Sequence, residues 1–404
     1  MAPLFRNDQI GSLLRPAFLL EARKKQGGIY ADDLSDDLHR LTQDAIAGVV
    51  QKQIDLGVRP ITSGEYERTI FYSGFFENLE GFESRKGLRI PEDVRPELPT
   101  WPALLKMGYA TREACVATGK IRHITSPNMQ AWNMIKQATP QEHWKDCKIS
   151  MPSITWEHIQ LPKDGAYTPG AYNSDREYFT DLAAAYRKEL QELYNAGLRS
   201  VQIDDPNLTY FVFDGFTDGL RKDGVDPDEL LDLYVWAHNE AIRDHPKDMH
   251  VGIHLCRGNI PGLDGFVQGS YEKIATKVLA RLHHDTLYLE YDDARSGSFE
   301  ALRHIPKGKN VVLGLVTTKA PELEDLNTLV DRVHEAADVI AAGQRRTAAE
   351  VLADTLAVSP QCGFSSHVWG RGVGTEDNMW KKLVLVRDVA RKVWGESVQG
   401  EIIS

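Results

Sequence analysis

The sequence predicts an α/β protein folded as a single (β/α)8 barrel of the TIM type, with an inserted excursion near residues 72–125. Three observations predict it. Short β-branched apolar runs alternate with amphipathic helical stretches about eight times along the 404 residues. Polar and chemically unusual residues cluster just after those runs, where a parallel barrel carries its active site. Neither a GxGxxG nor a GxxxxGK pattern occurs, which disfavours open dinucleotide- and nucleotide-binding sheets. The whole of 1–404 is read as one barrel domain.

The elements follow in order. Ile10-Gly11-Ser12-Leu13-Leu14-Arg15-Pro16 is a strand end leading into a helix over 16–25, started by proline. Apolar residues at Leu38, Leu41, Ala45, Val49 and Ile54 give a helix over 36–56, with Gly57 as its C-cap. Arg59-Pro60-Ile61-Thr62 is the second strand, ending at Ser63-Gly64-Glu65-Tyr66-Glu67-Arg68. Residues 72–125 break the rhythm with Pro, Gly and mixed charge and read as a hairpin-like surface elaboration shaping one rim. A short strand over 148–154 resumes the alternation, followed by a helix over 175–196. The strand 198–203 then delivers Asp204-Asp205-Pro206. Helices over 227–244 and 271–283 bracket the strand 249–253, and the run 284–289 delivers Glu290. A strand over 311–316, a helix over 322–342, a strand over 356–360 and a helix over 375–395 complete the chain. His367 and Trp369 follow the last strand, placed either to close the site or to pack.

Composition narrows the function. Hydrophobic residues are 42% and charged residues 26%, the balance of an ordinary globular protein. The net charge of -11 argues against a nucleic-acid or anionic-membrane surface. No apolar run is long enough for a transmembrane helix, and residues 1–8 show no signal-peptide core. The four cysteines, at 115, 147, 256 and 362, are too scattered for a disulfide framework. A reducing, cytoplasmic setting is the expectation, and association into a homo-oligomer is compatible with it.

The chemistry concentrates at His254-Leu255-Cys256. Alternate residues of a strand point the same way, so both side chains can face one point. Imidazole and thiolate are ligands that zinc prefers. Parallel neighbouring strands would bring Glu290 and Cys362 to the same edge. A carboxylate in a set of His254, Cys256, Glu290 and Cys362 suggests a catalytic zinc, because it is the ligand a substrate most easily displaces. Arg15 and Arg68 are candidate clamps for a carboxylate or phosphate. Trp156 is a candidate stacking wall for a flat ligand.

The motifs at 10–16, 63–68 and 201–206, with His254-Leu255-Cys256-Arg257-Gly258-Asn259 and Pro360-Gln361-Cys362-Gly363, stand in one order along the chain. In that order they resemble the C-terminal catalytic barrel of cobalamin-independent methionine synthase, over nearly the whole chain. The Gly-Ser-Leu-Leu-Arg-Pro and His-Leu-Cys-Arg-Gly-Asn forms look most like the short, single-barrel branch, which includes epoxyalkane–coenzyme M transferases. The resemblance implies zinc on His254, Cys256, Glu290 and Cys362. It implies Glu65 and Asp204 around the amino group of homocysteine, and Ser12 near its carboxylate. The partners it implies are a small thiol and an alkyl donor such as methyltetrahydrofolate. A zinc-held thiol is deprotonated outright, whereas a free one titrates at about 8.5.

The chain departs from the family at two places. Lys319 stands where the synthases carry a histidine acid, and Tyr210 stands where they carry a folate-contacting glutamate. A lysine suits a developing alkoxide better than a departing folate. Lys319 is therefore expected at the reacting centre, with Asp204. Methyl transfer leads; an epoxide electrophile, or a metal-free barrel of the uroporphyrinogen-decarboxylase type, is the alternative.

Overall fold

The computed structural model describes residues 2–26, 35–259, 267–367, 370 and 372–395. Trp369 lies outside them. Strands β1 (Glu80–Arg89) and β2 (Thr111–Arg122) form an antiparallel hairpin, with a helix over Thr100–Lys106 between them. This is the expected excursion, and it carries more regular structure than its composition suggests.

Six parallel strands then form one sheet in sequence order: β3 (Ile149–Pro152), β4 (Ser200–Asp205), β5 (His250–Leu255), β6 (Thr286–Glu290), β7 (Asn310–Val316) and β8 (Leu356–Pro360). The two remaining units of the barrel pattern are shorter than expected. Asn7 bridges Val358 at one edge of the sheet, and Ile61 bridges Cys147 at the other, both in parallel sense. Those two segments meet each other through Gln9 Nε2 donating to the Pro60 carbonyl at 2.6 Å, Thr62 Oγ1 to that of Gly11 at 2.8 Å and the Leu13 amide to that of Gly64 at 3.0 Å. Proline at position 60 removes a ladder donor, which accounts for the missing backbone ladder there.

The outer helices begin and end where their residues dictate. Ser35 caps Asp36–Leu56 by accepting from the Leu38 amide, and Gly57 closes it in the left-handed region at φ 65°. Ser174, Asp226 and Thr375 cap Asp175–Asn195, Pro227–Ala241 and Glu376–Trp394 in the same way. The helix expected over 271–283 is instead a 3-10 turn over Tyr271–Ile274 and a π turn over Ala275–Leu279. Tyr271 is pinned there, its hydroxyl bonding the Leu255 carbonyl at 2.9 Å and the Glu290 amide at 3.1 Å.

Register sets the interior. Asp204 pairs with His254, and His254 with Tyr288, so these side chains lie side by side on adjacent strands. The period of two then points Cys256 and Glu290 into the same interior one step higher. Gly252 makes room for the Tyr288 ring of the neighbouring strand β6, where a Cβ would stand 2.5 Å from the ring.

Candidate functional site

The strand ends β5, β6 and β8 bring four side chains to one point. The ligand atoms of His254, Cys256, Glu290 and Cys362 all lie within 4.8 Å of one another. The sulfurs of Cys256 and Cys362 are 3.7 Å apart, and His254 Nε2 is 3.4 Å from Glu290 Oε1. His254 Nδ1 faces Asp204 Oδ1 at 3.3 Å, which leaves Nε2 directed at the cluster.

The donor set fits a zinc ion. His254 Nε2 and both carboxylate oxygens of Glu290 are buried and accept or donate no hydrogen bond. Buried polar atoms without partners are costly, and a cation would satisfy all of them. The contact with Cys362, and then burial, push the Cys256 thiol well above its usual range. A cation is what would hold these sulfurs as thiolates. Two sulfurs, one imidazole and one carboxylate match zinc's preferences.

A cavity of about 890 Å³ opens above this cluster, lined by Ser12, Glu65, Trp156, Asp204, His254, Cys256 and Cys362 together. Glu65 reaches it from a backbone at φ 60°, directly after Gly64 at φ 69°. That left-handed conformation is strained for a side-chain-bearing residue. Its Oε1 accepts from Ser150 Oγ at 2.7 Å and pairs with Arg68 at 2.8 Å, while Oε2 has no partner. Burial raises its carboxyl above the usual range, against the pull of Arg68 and with the help of Asp204. Ser12 Oγ accepts from the Ser365 amide at 3.3 Å, and Gly363 packs so closely against it that a Cβ would overlap that oxygen. Asn259 ties the loop after β5 to the loop after β8, donating to the Gly363 carbonyl at 2.7 Å.

Trp156 starts the short helix after β3 and stacks on Tyr72 at 4.5 Å, with Phe71 edge-on at 4.9 Å. These rings form one wall. The hairpin adds Leu104, Met107, Tyr109 and Arg112 to the lining of the cavity. The excursion therefore does more than shape a rim. Sequence reasoning passed over these hairpin residues, because nothing local marks which surface loop folds over a barrel mouth. It also passed over Ser150 and Gln202, which the alternation Ser150-x-Pro152 and Gln202-x-Asp204 places on inward positions.

Three expected residues are engaged elsewhere and do not line the cavity. Arg15 is 1% exposed and spends Nη1 on Ser365 and Nη2 on the carbonyls of Glu65 and Arg68. Burial, then Arg23, draw its guanidinium down to about 10. Arg68 holds Glu65 and both the carbonyl and hydroxyl of Ser150. These arginines brace the site's acid and loops. Lys319 is held by Asp292 at 2.8 Å and Asp293 at 2.6 Å. Its ammonium is matched by these two carboxylates, which follow the strand end that carries Glu290. Tyr210 does line the cavity, with its hydroxyl 2.9 Å from Thr100 Oγ1 of the hairpin.

A family model described as the cobalamin-independent synthase catalytic domain matches residues 169–390. The Bacillus subtilis protein YxjH, itself named as uncharacterized, is 32% identical over 397 residues, covering 96% of this chain and 95% of its own. A 5-methyltetrahydropteroyltriglutamate–homocysteine methyltransferase of Bacillus licheniformis is 21% identical over 370 residues. That match takes in 90% of this chain and 40% of the relative, so this chain spans well under half of the longer protein. Among solved structures, the putative vitamin-B12-independent methionine synthase of Listeria monocytogenes superposes with a TM-score of 0.71 at 28% identity. The alignment covers 98% of this chain and 100% of that one.

Proposed function

The chain belongs to the family of the cobalamin-independent synthase catalytic domain, and from that premise we propose that it is a zinc-dependent methyltransferase acting on a small amino-acid thiol of the homocysteine type. The observation that carries the reading is the convergence of His254, Cys256, Glu290 and Cys362 within 4.8 Å, at the floor of a cavity large enough for two small reactants. Zinc bound there would supply a thiol held as its thiolate at neutral pH.

The chain's own residues do the rest. Glu65 and Asp204 face the cavity as paired carboxylates, suited to a substrate ammonium, and Ser12 stands beside them for its carboxylate. Trp156 and Tyr72 offer a flat face to the donor. The hairpin roofs the cavity and limits water, so the sulfur meets the methyl carbon in place of solvent. The new S–C bond forms as the donor's bond to that carbon breaks. Methyltetrahydrofolate is the donor the relatives' names suggest.

The epoxide alternative drew its weight from Lys319 as an alkoxide partner. Lys319 pairs with Asp292 and Asp293, which supports methyl transfer over the alkoxide role. The reading includes one barrel domain over 1–404 and a cytoplasmic setting; among the described residues no helix is long and apolar enough to cross a membrane. The test is metal analysis of the purified protein, followed by product analysis with homocysteine and a panel of methyl donors. Roughly one zinc per chain and a methylated thiol are expected. A metal-free protein with full thiol methylation would sink the zinc assignment, and no methylation from any donor would sink the activity.

A further inference from the structure

Lys148 has no part in the chemistry above, yet it lies fully buried inside the barrel, 1% exposed. Its ammonium donates to Asp8 Oδ1 at 2.7 Å, to the Gln9 carbonyl at 2.5 Å and to Gln202 Oε1 at 2.7 Å. An ammonium has three hydrogens and no acceptor, so every one of them is placed. Gln202 must therefore turn its oxygen to Lys148, since the flipped amide would set N–H against the ammonium. Its nitrogen then points the other way and donates to the Ile10 carbonyl at 2.7 Å and Asp204 Oδ1 at 2.6 Å. Asp8 is itself held in place, by the Tyr288 hydroxyl at 2.9 Å.

The consequence falls on Asp204. Its Oδ1 is taken by Gln202 and faces His254 Nδ1, while Oδ2 takes no hydrogen bond from the described residues. Asp204 belongs to the cavity lining. We propose that Lys148 and Gln202 are positioning residues that lock the Asp204 carboxylate with Oδ2 toward the cavity, and so set selectivity for thiols that carry an ammonium group. This rests on the reading of Asp204 as an ammonium partner given above. A carboxylate free to rotate would lose that preorganisation and meet the ligand's ammonium less well.

The experiment compares two ligands on the zinc-loaded protein by calorimetry: L-homocysteine, and 4-mercaptobutyrate, which keeps the thiol and carboxylate but lacks the amine. The variants are Gln202→Met, close in shape but unable to bridge, and Lys148→Met paired with Asp8→Asn so that no buried charge is left alone. Wild-type protein is expected to prefer homocysteine. Each variant is expected to lose about tenfold or more of that preference, with 4-mercaptobutyrate affinity and zinc content within about twofold of wild type. Retention of the preference in Gln202→Met overturns the inference and leaves the proposed function standing. Equal weakening toward both ligands also overturns it, because general damage to the barrel does that. A wild type indifferent to the amine overturns the ammonium reading of Asp204, and this inference with it.

Discussion

Removing the metal is expected to lower the thermal midpoint by several degrees while the barrel stays folded. His254 Nε2 and the two Glu290 carboxylate oxygens are buried without a hydrogen bond. Each such atom carries a penalty of about 1–3 kcal/mol, so a cation that meets all of them relieves roughly 3–9 kcal/mol. Mass action gives a comparable figure, about 4 kcal/mol for a ligand present at a thousand times its Kd. With an unfolding entropy of about 2.1 cal/mol/K per residue, 1 kcal/mol moves the midpoint of 404 residues by roughly 1 °C. A chelator should therefore lower it by about 3–10 °C. Scanning calorimetry before and after chelation, with metal content measured alongside, reads the effect, and added zinc should restore it. Cys256→Ala and Cys362→Ala should bind less metal and lose the response to chelator, with helical circular dichroism unchanged, since a catalytic metal is not the nucleus of this fold. A chelator that strips all metal without moving the midpoint would refute the reasoning, as would stoichiometric zinc in both variants.

Glu157 is buried beside Arg112, 3.6 Å away, and burial raises its carboxyl to about 7 despite that arginine. A folded value above the unfolded one means the folded state binds the extra proton, so stability present below about pH 4.5 is lost as pH rises toward 7. Glu157→Gln should flatten that slope, read as unfolding free energy by urea titration from about pH 5 to about pH 8; an unchanged slope counts against it. Lys319→Ala should remove about 1–3 kcal/mol of stability by taking the close cation from buried Asp292, while Asp293 keeps Arg295 at 2.8 Å, and change turnover by less than about tenfold. A loss of a thousandfold in turnover with unchanged stability would return Lys319 to the reacting centre. Gly363→Ala should cost about 1–3 kcal/mol and weaken thiol binding, because its Cβ must displace Ser12. Wild-type urea unfolding and thiol affinity in that variant would show that the loop absorbs the methyl group.

The parallel barrel core and the convergence of His254, Cys256, Glu290 and Cys362 were legible in the sequence because both are carried by local pattern. A short apolar run with a chemically unusual residue at its end is a strand delivering a side chain, and period two sets its direction. His254 and Cys256 declare themselves this way within three residues. Glu290 needed only the further assumption that neighbouring strands run parallel, which the pairing of β5 with β6 bears out. The tertiary structure alone decided what the long cations do. Arg15, Arg68 and Lys319 sit in or beside the right motifs, yet Arg15 and Lys319 are spent on groups that chain order does not bring near, and Arg68 joins its near neighbour Glu65 to the distant Ser150. It alone showed the hairpin folded over the barrel mouth, since an antiparallel pair carries no signal for where it docks. It alone gave Lys148 a place under Asp204. A flexible charged side chain takes the partner that three-dimensional packing offers, whereas a side chain at a strand end has its direction set by the backbone beneath it.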